Sequence, residues 1–253
     1  MTPPRSEPSK KRLSFLDHLE ELRTRIIHSI VILIIAAFVV YLFADKILKF
    51  LIAPLGRVEG DPQPPLVFLA PGEAFASVLI LTLWSALVLA SPFLLYQIWS
   101  FVAEALTQKE RRSVVIFGPL SLIFFGAGCA FGYFVVVPIS LRFLLSFSWE
   151  VMAPMITVSR YLSFVGSVVV SFGIVFELPL ILLFLTKIGV ATPAFLSQKR
   201  KHAVVLIFIV SAILTPPDVF SQLLMAILLI SLYELGIFLS KLAHSTKARP
   251  YLS

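Results

Sequence analysis

Residues Tyr161 to Thr186 read YLSFVGSVVVSFGIVFELPLILLFLT, an apolar run in which Glu177 is the one charged side chain. A hydrocarbon core of about 30 Å needs roughly 20 helical residues at 1.5 Å each, and this stretch supplies them. It reads as a membrane span. A lone carboxylate at that depth costs at least ~2.5 kcal/mol even on lenient insertion scales, so Glu177 is expected to face a protein interior, a polar partner or a substrate path.

Three further runs meet the same length test: Ile26 to Ala44, Ala74 to Ala103 and Ser113 to Leu141. The composition agrees, with 58% hydrophobic residues, 14% charged residues and a mean hydropathy of +0.97. These values predict an all-α polytopic membrane protein. The last apolar stretch, Ala203 to Ser240, would be about 57 Å long as one helix. Thr215-Pro216-Pro217-Asp218 divides it with a strong turn signal, so a helical hairpin with two short arms is expected. The first arm, Ala203 to Leu214, reaches only about 18 Å, and the bilayer must thin there or neighbouring helices must shield its ends.

Six crossings place both termini on one side. Lys46, Lys49, Arg57, Arg142 and Arg160 fall on the outer side, and the other sixteen of the 21 lysines and arginines fall on the inner side. The positive-inside rule then makes both termini cytoplasmic. The net charge of +7 is explained by this topology, without nucleic acid as a partner. The first apolar run follows a basic segment and lacks a small-residue cleavage signature, so it is expected to be retained as a span.

Residues 1–13 are expected to be a disordered cytoplasmic N-terminus, 14–241 a single membrane domain and 242–253 a cytoplasmic tail. The outer loop Asp45 to Glu73 carries five prolines, which favour extended or turning backbone over a further helix. Pro92, Pro119, Pro138 and Pro179 fall within spans and are candidate kinks. Gly128 and Gly132 have the spacing that lets a neighbouring helix approach closely. Cys129, the only cysteine, excludes an intrachain disulfide and a cysteine metal cluster; no cofactor is expected.

Ahead of the first span lies Ser14-Phe15-Leu16-Asp17-His18-Leu19-Glu20-Glu21-Leu22-Arg23, where Ser14 and Asp17 have capping-box spacing and a surface helix should start. Asp17 and Glu21 share a face at i,i+4, a like-charge pairing that invites an incoming cation. In the alternative reading Glu21 pairs with Arg25, and Glu20 with Arg23 or Thr24, as in an ordinary solvated helix. The sequence leaves both open. Glu110 is equally divided, since Thr107-Gln108-Lys109-Glu110 is a capping box that needs no ligand.

Taken together, His18-Leu19-Glu20-Glu21-Leu22-Arg23, the block from Ser91-Pro92-Phe93 through Tyr96-Gln97 to Phe101, and Glu110-Arg111-Arg112 resemble the TatC family, the membrane core of the twin-arginine protein translocase. Phe176-Glu177-Leu178-Pro179, Thr215-Pro216-Pro217-Asp218, Ser221-Gln222 and Leu232-Tyr233-Glu234 extend the resemblance, which runs from Ser14 to Lys241. It implies a six-helix concave bundle in the bacterial inner membrane. Such a bundle would bind signal peptides bearing two arginines and export folded proteins using the proton gradient.

By the same resemblance Glu20, Glu21 and Glu110 belong to the signal-peptide site, with Arg23 and Phe101 in or beside it. Glu177 would face the concave wall, and Asp218, Gln222 and Tyr233 would mark intramembrane or docking positions for small single-span subunits of the TatA and TatB type. Membrane lipid and further copies of the chain complete the implied partners. Two positions depart from the family pattern: Glu104 and Leu228 stand where prolines are usual. Glu104 adds negative charge near the proposed site, and Leu228 should leave the last helix straighter.

Carboxylates suit an arginine signal because guanidinium offers a planar fork for paired hydrogen bonds that a lysine ammonium lacks. The alternative function is a proton-coupled secondary transporter using Glu177 as its relay. The chain shows no inverted repeat to support it. An intramembrane enzyme is disfavoured because the four histidines are scattered, and no phosphate loop is present for nucleotide hydrolysis.

Overall fold

The computed structural model describes residues 15–59, 66–104, 106–146, 155–215 and 218–247, with the side chains of 15–17, 59, 108–110, 112–113 and 244–247 outside that description. The expected disorder of 1–13 and the Pro216-Pro217 turn lie outside the described residues. Asp17 and Glu110 are placed by backbone alone.

Helix α1, Phe15–Leu42, joins the expected surface helix and first span into one rod. Helix α2 is Ala44–Glu59, and α3, Glu73–Glu104, is the second span. The third is α4, Gln108–Phe131, which passes through a π-helical turn at Gly132–Val136 into α5, Val137–Ser146. The fourth is α6, Val158–Phe176, followed after Glu177 by α7, Leu178–Lys187. Short α8, Pro193–Gln198, leads into α9, Arg200–Leu214, and α10, Val219–Lys247, closes the chain. Five of these segments are long and apolar enough to cross a membrane: His18–Leu42, Glu73–Glu104, Val114–Ser146, Val158–Lys187 and Val219–Ala243. The 15-residue α9 reaches only about 22 Å, as its shortness in sequence predicts.

Two expectations need correction. The last helix is not short. At 29 residues α10 extends about 43 Å and runs beyond the Lys241 boundary, because Leu228 lets the helix continue and the Ser240-Lys241-Leu242-Ala243 segment contains good helix formers. The outer loop is half helical, since Ile47, Leu48, Leu51, Ile52 and Leu55 make an apolar stripe that packs on the core and outweighs the cost of Pro54. The all-α class holds, with one small addition between the spans: β1, Leu66–Val67, pairs in parallel with β2, Ile156–Thr157, with Leu66 opposite Ile156 and Val67 opposite Thr157.

Pro54 survives inside α2 because its consequences are repaired. Proline donates nothing to the carbonyl four residues back and its ring opens that turn. The Tyr133 hydroxyl donates to the exposed Phe50 carbonyl, while its ring stacks on Phe50 with centroids 4.5 Å apart. The Tyr161 hydroxyl donates to the next carbonyl, Leu51, at 2.8 Å. Each such bond contributes about 0.5–1.5 kcal/mol net, and together they tie α2 to the third and fourth spans.

The kink sites divide. Pro92 and Pro119 lie inside continuous helices, whereas Pro138 follows directly on the π turn, where the widened backbone accommodates a ring that crowds the turn before it. Pro179 stands in the first turn of α7, the position proline tolerates, and so the fourth span is broken at Glu177. That span ends at Gly189, whose φ of 84° allows the Val190 N–H to bond Leu185 and the Gly189 N–H to bond Thr186.

The close approach predicted for Gly128 is real: a Cβ there would lie 2.4 Å from the Phe172 carbonyl oxygen, so α4 and α6 meet backbone to backbone. Phe172, Leu162, Val165 and Val168 are almost completely enclosed. A second apolar cluster, in which Trp99, Phe117 and Phe184 pack edge and face, joins α3, α4 and α7 near the end of α3.

Candidate functional site

The start of α1 lies against the end of α3, and a single guanidinium binds them together. Arg25 Nε donates to Glu21 Oε1 at 2.6 Å, and its Nη2 also contacts that oxygen. Nη2 donates to Glu104 Oε1 at 2.9 Å and Nη1 to Gln97 Oε1 at 3.1 Å. Gln97 and Glu104 are two turns apart on α3 and therefore present the same face. The side chains of Arg25, Glu21 and Glu104 are 18%, 21% and 27% exposed, so the cluster is sheltered without being closed to water.

The other proposed members surround it unevenly. Phe101, between Gln97 and Glu104, stacks on His18 with centroids 4.4 Å apart, adding a second contact between α1 and α3. Glu20 and Arg23 are exposed. The expected Glu20–Thr24 link is a bond from the Thr24 hydroxyl to the Glu20 backbone carbonyl at 3.0 Å, which leaves the Glu20 carboxylate uninvolved in it. Glu110 belongs to the first turn of α4, where the Arg111 N–H bonds the Thr107 carbonyl at 2.9 Å; its side chain lies outside the described residues.

Glu177 is elsewhere, at the junction of α6 and α7. It is 8% exposed, and its Oε1 is buried without a hydrogen-bond partner among the described residues. Ser121 on α4 supplies the polar side chain that faces it, and by hydrogen-bond geometry the Ser121 hydroxyl is itself buried without a partner among the described residues. The carboxyl borders a cavity of about 340 Å³ whose other walls include Ser91, Leu94 and Ile98 of α3 and Phe125 of α4. An unsatisfied buried acceptor costs about 1–3 kcal/mol, and the Ser121 hydroxyl is the donor of this chain that faces it.

One helix carries both environments. Ser91, Leu94 and Ile98 of α3 look onto the Glu177 cavity, while Gln97, Phe101 and Glu104 look onto α1. Ser91 and Glu104 are separated by about 20 Å at helical rise. The Ser91 to Phe101 block therefore borders both the acidic cluster and the buried carboxyl, on different faces of one helix.

Asp218 and Gln222 open α10 one turn apart. Asp218 Oδ1 accepts the Ser221 N–H at 2.6 Å, capping the helix, and its Oδ2 is buried without a partner among the described residues. Tyr233 is some 22 Å further along α10 by helical rise, is buried, and donates its hydroxyl to the Leu196 carbonyl at 2.8 Å. Tyr233 is thus not brought together with Asp218 and Gln222. The neighbouring Glu234 pairs with Arg200 at 2.7 Å.

Sequence reasoning missed Gln97 and Ser121 and gave Arg25 only a local role. The signal for Gln97 was present in the seven-residue spacing from Gln97 to Glu104, two polar side chains on one face of an otherwise apolar helix. No spacing rule pointed from Ser121 to Glu177, since they meet only through packing of α4 on α6.

Fold and site together define a polytopic helical membrane protein with a guanidinium-holding acidic cluster at one end of the bundle and a buried carboxyl within it. The family model described as Sec-independent protein translocase protein (TatC) matches residues 17–227. A Sec-independent protein translocase protein TatC from Carboxydothermus hydrogenoformans is 41% identical over 232 residues, covering 91% of this chain and 94% of its own. The protein of that name from Aquifex aeolicus is 40% identical over 233 residues, covering 91% and 96%. A crystal structure of the twin-arginine translocase receptor TatC is similar with a TM-score of 0.80 at 40% identity, over 90% of this chain and 99% of that one. The chain belongs to the TatC family, the multi-pass membrane component of Sec-independent protein translocation.

Proposed function

We propose that this chain is the signal-peptide receptor and core subunit of a twin-arginine translocase. The observation that carries the reading is the Arg25 cluster: Glu21, Gln97 and Glu104, from two helices, hold a guanidinium through three of its nitrogens. A pocket that fits the chain's own arginine fits the chemistry of an arginine-bearing signal. The similar solved protein being a twin-arginine translocase receptor supports the same role.

In this proposal Glu20, Glu21 and Glu110 supply carboxylates for the arginine pair, with Arg23 and Phe101 beside them. An exposed ion pair contributes only 0.2–1 kcal/mol, so the signal's apolar segment must add contacts along α3. Glu177 receives a polar side chain from a partner's transmembrane helix, an interaction of about 1–2 kcal/mol in model peptides. Asp218, Gln222 and Tyr233 mark the α10 surface and its support, where single-span subunits of the TatA and TatB type dock. The chain lies in the bacterial inner membrane as six crossings with both termini cytoplasmic, assembles with further copies of itself, and export draws on the proton gradient. It acts as a receptor and platform, not as an enzyme.

Site-specific photocrosslinking of a signal peptide to membranes containing the protein tests this reading. Capture should favour Arg-Arg over Lys-Lys and fall in both Glu21→Ala and Glu110→Ala. Capture indifferent to all three changes overturns it.

A further inference from the structure

Arg25 does more than stitch α1 to α3. Two of its nitrogens converge on Glu21 Oε1, the oxygen that a signal arginine would seek, while the same guanidinium is also held by Gln97 and Glu104. We propose that Arg25 is a built-in occupant of the signal-arginine site, exchanged for the incoming guanidinium, and that Glu104 is the acceptor that retains Arg25 when it releases Glu21. This deepens the receptor reading and rests on it.

The charge count favours exchange. Among the described side chains, Glu21, Glu104 and Arg25 leave one negative charge uncompensated before a signal binds, and a second guanidinium neutralises it. Nearby Glu20 and Arg23 are exposed and opposite in sign, so they do not alter that balance. When the signal arginine takes Glu21, one ion pair is lost and another of the same kind forms. Arg25 meanwhile keeps its bonds at 2.9 Å to Glu104 and 3.1 Å to Gln97. No charge is left unpaired at partial burial, which is the step that otherwise makes breaking an ion pair expensive. Binding is thereby weakened but reversible, as a receptor that must release each signal requires.

Arginine selectivity has a source here as well. A lysine ammonium can approach Glu21, but it cannot reproduce the planar fork that Arg25 presents there, so it displaces Arg25 poorly. Removing Arg25 removes that competition and should narrow the difference between the two signals.

The test uses the full chain in membranes, with photocrosslinkable Arg-Arg and Lys-Lys peptides titrated against wild type, Arg25→Gln, Arg25→Lys, Glu104→Gln and the Arg25→Gln, Glu104→Gln double variant. Arg25→Gln should raise apparent affinity for the Arg-Arg peptide by roughly two- to fivefold, the range of a partly exposed ion pair, and reduce the preference over Lys-Lys. Glu104→Gln should lower affinity by a similar factor, but only while Arg25 is present. Arg25→Lys, which keeps the charge and folds most conservatively, should fall between wild type and Arg25→Gln. Weaker binding in Arg25→Gln would make Arg25 a positioning residue and overturn the exchange. An equal loss from Glu104→Gln in both backgrounds would make Glu104 a direct ligand, with the same result. If wild type ignores the Arg-Arg to Lys-Lys change and Glu21→Ala has no effect, the receptor reading fails and the exchange with it. A retained arginine preference with an unaltered Arg25→Gln sinks the exchange alone.

Discussion

The fourth span and the first are both apolar helices carrying an informative carboxylate, but the chain surrounds them differently. Within the apolar window of Val158–Lys187, 61% of residues are buried in the protein, against 11% for His18–Leu42. Glu177, on the enclosed span, has a buried oxygen with no partner among the described residues, whereas Glu21, near the start of α1, is held through its Oε1 by Arg25. The contrast separates two kinds of polar site. On the proposed reading, a carboxylate near water keeps an internal partner that can be exchanged, while the carboxyl held in largely apolar surroundings would take its donor from another chain.

The rigidity of the fourth span is the first term to break. Gly128→Ala places a methyl group 2.4 Å from the Phe172 carbonyl oxygen, and the obstacle is backbone, which cannot rotate aside. Overpacking of this kind costs about 1–3 kcal/mol, and the upper part of that range is expected here. Thermal unfolding in detergent should show it as a clear fall in midpoint. A midpoint equal to wild type would mean that α4 and α6 separate easily and that the fourth span is not a fixed wall behind Glu177.

A smaller effect of opposite sign is expected from Glu177→Leu. It removes a buried acceptor that lacks a bond and adds apolar contact with the cavity wall, so the isolated chain should gain about 1–2 kcal/mol in stability. Crosslinking to single-span partner subunits and export should fall in the same variant. Stabilisation with full export would detach Glu177 from partner binding. Destabilisation would indicate that the carboxyl is satisfied within the chain after all, and the contrast with Glu21 would disappear.

These two sites were unequally visible in the amino-acid sequence. Glu177 was conspicuous because one charge in a long apolar run is costly and needs compensation from within the chain or from a partner. Its neighbour Ser121 was not, since a serine in a span carries no periodic signal and its relation to Glu177 depends on how α4 crosses α6. The spans themselves were legible from length and hydropathy alone. Helix α2 was obscured by Pro54, whose cost depends on two hydroxyls, Tyr133 and Tyr161, that are distant in sequence. At the surface cluster, local spacing revealed the Glu21–Arg25 pair, but its extension to Gln97 and Glu104 required the antiparallel contact of α1 with α3. Long-range pairing was the missing information in each case.

The smallest expected effect probes the exposed side of the comparison. Phe38 on α1 is 65% exposed, and Ile34 one turn earlier is 63% exposed, so together they present an apolar strip that the chain itself does not cover. In a bilayer such a strip is already solvated by acyl chains, and no hydrophobic driving force pulls it into the protein. Phe38→Ala should therefore change the stability of the purified chain by less than about 0.5 kcal/mol, as for substitutions away from packed or bonded features. The melting midpoint in detergent checks this directly. A loss approaching that of Gly128→Ala would show that α1 is packed against protein in the purified particle, either a second copy or another subunit. The low burial of the first span would then describe one chain taken out of its assembly, and the start of α1, with Arg25 and Glu21, would lie beside an interface rather than at a free edge.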